Sequence, residues 1–170
     1  RGIVDGAFGV AGQNCLSVQR VYVHESLYDE LLTQILQGTS RLNVGSKQDA
    51  STDVGPLITE QEAQRVASWV EEAVADGAHV AIGGTRTGAF YDPTVLTNVP
   101  RAARVLHEEV FGPVVSILPF QDLDEALADI DGTEYGLQAG VFTESMATAM
   151  KTVERLNVGS VLVNETSDFR

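Results

Sequence analysis

The sequence predicts an α/β fold, a three-layer domain with a mostly parallel twisted sheet flanked by helices. Three observations carry that reading. Apolar residues alternate between a period of two and a period of 3.6 along the chain, which places strands and amphipathic helices in turn. Strand, helix and strand recur in a rhythm that demands right-handed crossovers. The run Val114 to Phe120 is almost wholly apolar, as a strand covered on both faces must be.

Element by element, Val18 to His24 reads as a strand. The helix after it takes Ser26 as N-cap, with Leu27, Leu31, Leu32, Ile35 and Leu36 on one face. Asn43 to Pro56 holds Gly, Ser, Asp and Thr without periodicity and reads as a loop. Thr59 and Glu62 have capping-box spacing, and Ala63, Val66, Ala67, Val70, Ala73 and Val74 form the stripe of the next helix. Asp76-Gly77 ends it, and Ala78 to Ile82 gives a short strand before Gly83-Gly84. Phe90 to Val99 reads as extended because Pro93 and Pro100 deny it a helix. After the Val114 to Phe120 strand, Asp122 with Glu125 caps a helix to about Ile130. Gly140 to Thr143 is a further strand, Ser145 opens a helix to about Leu156, and Ser160 to Asn164 is the last strand. No linker or internal repeat divides residues 1 to 170, so one domain is expected.

Composition narrows the function classes. The chain has 170 residues, 44% hydrophobic and 21% charged, with a net charge of −13. That surface repels nucleic acid and anionic membranes, since phosphate neutralisation needs clustered Lys and Arg. No apolar run approaches the roughly 20 residues that cross a bilayer. No signal peptide is visible, and a single Cys suits a reducing cytoplasm. The absent starting Met and the stop at Phe169-Arg170 read as cuts within a longer protein. His24 and His79 have no partners at metal-ligand spacing, so no metal site is expected.

Attention falls on Gly12-Gln13-Asn14-Cys15. A Gly near a Cys lets the backbone turn sharply and present both the thiol and an amide N–H. Sulfur can then add to a carbonyl carbon while N–H groups stabilise the oxyanion. An ordinary thiol is only about 3% ionised at neutral pH, so such attack needs a base or a positive field. Taken alone, a Cys is also a common small core residue.

The motif, with Arg20 five positions on and a Val-Tyr-Val-His strand after it, resembles the nucleophile signature of the aldehyde dehydrogenase superfamily. Asn43-Val44-Gly45, Val54-Gly55-Pro56-Leu57-Ile58, Gly77-Ala78 and Gly83-Gly84 follow in the family's order. So do Glu108-Glu109-Val110-Phe111-Gly112-Pro113, Glu134-Tyr135-Gly136-Leu137, Val141-Phe142-Thr143 and Gly159-Ser160-Val161-Leu162-Val163-Asn164. The resemblance covers essentially the whole chain. It implies that Cys15 attacks an aldehyde to give a thiohemiacetal, that hydride leaves to NAD (or NADP), and that water releases the acid. It also implies that the Cys15 N–H forms half of an oxyanion hole, that Glu109 holds the nicotinamide-ribose hydroxyls and that Phe111 packs at the nicotinamide end. Arg65 would face the cofactor, and Asn164, Thr166, Ser167 and Phe169 would line the substrate tunnel. Arg20 and His107 are expected in structural or surface roles. Asn14 stands where relatives that take strongly anionic aldehydes often place Arg.

Other parts of the family pattern are absent. There is no Glu-Leu-Gly-Gly motif to carry the general base, no upstream oxyanion Asn and no dinucleotide glycine fingerprint. The resemblance therefore implies a homodimeric or homotetrameric full-length enzyme acting on a small-molecule aldehyde, and a 170-residue piece with little activity alone. Two alternatives stay open: a non-catalytic α/β module built on the same fold, and a CoA-acylating semialdehyde dehydrogenase.

Overall fold

The computed structural model describes residues 1–167. The chain opens with helix α1 (Gly2–Phe8) and a 3-10 turn (Gly9–Gly12), then strand β1 (Arg20–His24) and helix α2 (Glu25–Thr39). Helix α3 (Glu60–Ala75) leads to β2 (His79–Ile82), the small hairpin β3 (Arg86–Thr87) and β4 (Phe90–Tyr91), and β5 (Thr94–Thr97). A short helix α4 (Arg104–His107) precedes β6 (Val114–Phe120) and α5 (Leu123–Asp131). Strand β7 (Gln138–Val141), helix α6 (Met146–Arg155) and β8 (Ser160–Val163) complete it.

The main sheet has the order β1-β6-β5-β2. β1 and β5 both run parallel to β6, whereas β2 joins β5 antiparallel. β7 and β8 form a separate parallel pair, so the expected mostly parallel sheet with helices on both faces is what forms. The central strands show why their sequences are apolar without alternation. Val95, Val115 and Ile117 pack with Val4, Phe8 and Ile35 of α1 and α2 on one face. Leu96, Val114 and Leu118 pack with Val66, Trp69, Val70 and Leu106 of α3 and α4 on the other. A strand buried on both faces has no polar side to alternate with.

Three helix starts stand where the capping signals put them. The Thr59 hydroxyl accepts from the Glu62 N–H at 3.2 Å, and the Asp122 carboxylate from Asp124 and Glu125 at 2.8 and 3.1 Å. Ser145 likewise accepts from Thr148. The expectation for Ser26 is corrected: α2 starts two residues earlier, with His24 as its N-cap. The His24 ring Nδ1 accepts from the Ser26 N–H and meets the Ser26 hydroxyl at 2.8 Å, while the ring packs edge-on against Phe120. The extended stretch Phe90 to Val99 is broken at Asp92-Pro93 into β4 and β5. Val18 and Gln19 lie outside β1, which begins at Arg20.

Candidate active site

The site is built by two loops that enter neighbouring parallel strands. Arg20 of β1 is in register with Ser116 of β6, so the loops before these strands emerge at the same end of the sheet. The first loop carries Gly12 to Gln19. Its approach is unusual: Val10, Ala11 and Gly12 all have positive φ, at 54°, 55° and 69°. The second carries Glu108 to Pro113, in which Phe111 sits at φ 45°. A bulky residue in that region is strained, and such strain is held only where surrounding contacts over-determine it.

Gly12 is the point of contact between the loops. A Cβ there would overlap the carbonyl oxygen of Gly112, and a Cβ on Gly112 would meet Val66 at 2.6 Å. Two glycines thus let the loops touch backbone to backbone over α3. The cleft they leave holds about 30 Å³, roughly the space of a water molecule. Cys15, Glu109 and Phe111 all line it, with Asn14, Ser17 and Gln19. No Lys or Arg of the described residues lines it.

Cys15 is exposed and unpaired, not a core residue. It stands on a tight turn in which Asn14 accepts twice, its carbonyl from Ser17 N–H at 3.0 Å and its side-chain oxygen from Leu16 N–H at 3.1 Å. Among the described residues the Cys15 backbone N–H meets no acceptor and remains available. Gln13 pins the turn from the other side, accepting from Ile58 N–H at 2.8 Å, and the Ser17 hydroxyl reaches the end of α1 at the Gly6 and Ala7 carbonyls.

Glu109 and Phe111 both present exposed side chains. Arg65 is not among the residues lining the cleft. Its guanidinium bonds the Glu62 carboxylate at 2.8 Å and the Val110 carbonyl at 2.7 Å, and it stacks on the Trp69 ring at 4.6 Å. Arg104 covers the same ring at 4.3 Å.

Asn164, Thr166 and Ser167 border a much larger open crevice of about 1570 Å³ that also reaches Cys15. Asn164 has φ 58° and accepts from Thr143 N–H at 2.9 Å. Thr166 is buried, and the Ser167 hydroxyl donates to the carbonyl of Leu16, the residue after the cysteine. Phe169 lies outside the described residues. Arg20 donates to the last carbonyls of α5, at Asp129 and Ile130, where a cation complements the helix end. His107 is exposed and hydrogen-bonded to the Arg101 carbonyl. No group of His, Cys, Asp and Glu among the described residues is arranged to hold a metal ion, and no helix among them is long and apolar enough to cross a membrane.

The α/β fold thus presents one exposed thiol beside a carboxylate and an aromatic ring at one end of its main sheet. The chain belongs to the aldehyde dehydrogenase family, whose profile matches residues 1–170. A 3-sulfolactaldehyde dehydrogenase of Priestia aryabhattai is 45% identical over 96% of this chain and 34% of its own length. An aspartate-semialdehyde dehydrogenase of Pseudomonas canavaninivorans is 41% identical over 98% of this chain and 36% of its own. Among solved structures, aldehyde dehydrogenase 21 from Physcomitrella patens, in complex with succinate, superposes with a TM-score of 0.96. It is 40% identical and matches 99% of this chain but 35% of that one. Glyceraldehyde-3-phosphate dehydrogenase from Methanocaldococcus jannaschii, complexed with NADP, gives the same score at 36% identity, over 99% and 37%. The chain thus spans about a third of the length of the relatives it matches.

Proposed function

We propose that the full-length protein containing this chain oxidises an aldehyde to a carboxylic acid with NAD(P), and that this domain supplies the nucleophile, Cys15. The observation that carries the reading is the shared cleft: an exposed thiol, a free backbone N–H beside it, a carboxylate and an aromatic ring within one small space.

The Cys15 thiolate adds to the aldehyde carbon, and the carbonyl oxygen takes the negative charge of a thiohemiacetal. The unpartnered Cys15 N–H is the donor this chain offers to that oxygen, and such donors are usually the largest single contribution to lowering the barrier. When bound, the dinucleotide supplies the two-electron acceptor for the hydride leaving that carbon. The carbon stays on Cys15 as a thioester, and water releases the acid and the thiolate. The family resemblance assigns the general base and the second oxyanion donor to the rest of the protein.

The residues present fit the nicotinamide end of the cofactor. The exposed Glu109 carboxylate is an acceptor suited to paired ribose hydroxyls, and the Phe111 ring offers an apolar wall. They do not offer a phosphate cradle, which a chain with this charge and without a glycine fingerprint assigns to the rest of the protein. Several relatives are named for short aldehydes with an anionic tail, and that class leads the substrate screen. Among the described residues, the small cleft offers that tail no Lys or Arg. A reducing compartment such as the cytoplasm would keep the thiol free.

The test is the full-length protein with Cys15→Ser. NAD(P)H formation should fall by at least about a thousandfold, and acyl adducts on the Cys15 peptide should vanish from mass spectra. Retained turnover would overturn the nucleophile assignment. Product formation that requires CoA would favour the acylating alternative.

A further inference from the structure

Resting on the cofactor reading of Glu109 and Phe111, we propose that Gln19 is a positioning residue: its carboxamide sets the pose of the Glu109 loop against the Cys15 loop.

Glu108 to Gly112 belongs to no helix or strand, so ladder bonds do not fix it. Its peptides are held by side chains instead. Gln19 Nε2 donates to the Glu108 carbonyl at 2.6 Å and to the Val105 carbonyl at 2.9 Å. Gln19 Oε1 accepts from the Val110 N–H at 3.0 Å. The carboxamide therefore grips the backbone immediately before and immediately after Glu109, as a neighbouring peptide group would in a sheet. Arg65 closes the other side of Val110 by donating to its carbonyl.

Gln19 is itself anchored through its backbone. Its carbonyl accepts from Ser116 N–H at 2.9 Å, which ties it to β6. It stands four residues after Cys15, directly before β1, and it borders the same cleft. One side chain thus links the thiol loop to the carboxylate loop across 86 to 91 residues of sequence.

The donor–acceptor polarity gives a sharp test. Gln19→Glu keeps size, shape and the acceptor for Val110 N–H but turns the donating end into a carboxylate oxygen facing two carbonyls. In the full-length protein, we expect Gln19→Glu to weaken NAD(P) binding about tenfold at neutral pH, as the loss of one or two well-made hydrogen bonds would. Affinity should recover as the introduced carboxyl is protonated toward pH 5, relative to wild type at the same pH. Gln19→Met removes both polarities and should weaken binding without any pH recovery. Hydrogen exchange supplies a readout independent of turnover: the Val110 amide should exchange faster in Gln19→Met than in wild type.

Dinucleotide affinity and Val110 exchange that match wild type in both variants would overturn the inference alone. A wild-type protein that binds no dinucleotide would overturn the cofactor reading and this inference with it.

Discussion

Tyr91 shows how strongly one group can report on the core. It is 1% exposed and packs among the α3 and α4 side chains. Burial pushes its phenol up to about 12, against a smaller opposing hydrogen bond with Thr94. The unfolded chain releases that proton near the ordinary value of about 10, whereas the folded chain retains it. Stability from this group is therefore full below pH 10 and is lost as pH rises toward 12. Two units amount to about 2 to 3 kcal/mol. Urea unfolding from pH 9 to 12 should show that decline in wild type and a shallower one in Tyr91→Phe. Identical curves would mean the phenol does not titrate with unfolding. Cys15 sits at the opposite extreme, in the open, and the contrast separates residues that hold the fold from those placed to react.

At the scale of elements, the meeting of two loops depends on backbone approach. Gly12→Ala would drive a methyl group into the Gly112 carbonyl and place a side chain at φ 69°. A loss of about 1 to 3 kcal/mol follows from that overlap and the left-handed backbone. Gly9→Ala, three residues earlier, meets nothing within 4 Å and has φ −52°, so it should be neutral or stabilising by about 0.5 kcal/mol. Paired urea titrations check both, and equal costs would mean the loops do not touch at Gly12. Helix starts were legible because capping is local: Thr59, Asp122 and Ser145 each act within three residues. The buried strand Val114–Phe120 was legible from its composition. The helix Gly2–Phe8 was not, since its short sequence holds two glycines and its stability comes from packing Val4 and Phe8 on the sheet. At the site, the Cys and Glu-Val-Phe-Gly-Pro segments could be read, but not the link between them. Gln19 is an unremarkable polar residue until the fold brings residues 105 to 110 alongside it.

At the scale of the whole molecule, this chain taken alone presents surfaces at odds with its charge. β1 is an edge of the main sheet and β7 and β8 form a detached pair, and both border the 1570 Å³ crevice. Leu137, Phe142, Met146 and Val163 are 45 to 75% exposed along that second unit. Unpaired edges and apolar surface favour association, while a charge of −13 opposes it. Salt decides between them, because the screening length shrinks from about 10 Å at 0.1 M to about 3 Å at 1 M. The isolated 170-residue chain should therefore be nearest to monomeric at low salt and associate progressively as NaCl rises to about 1 M, read by light scattering. The same preparation should reduce little or no NAD(P) with any aldehyde, since the proposed function assigns the base and the phosphate cradle to the rest of the protein. A chain that stays monomeric at high salt would show that the crevice closes on itself, and the two sheets would then have to be joined by contacts within these residues.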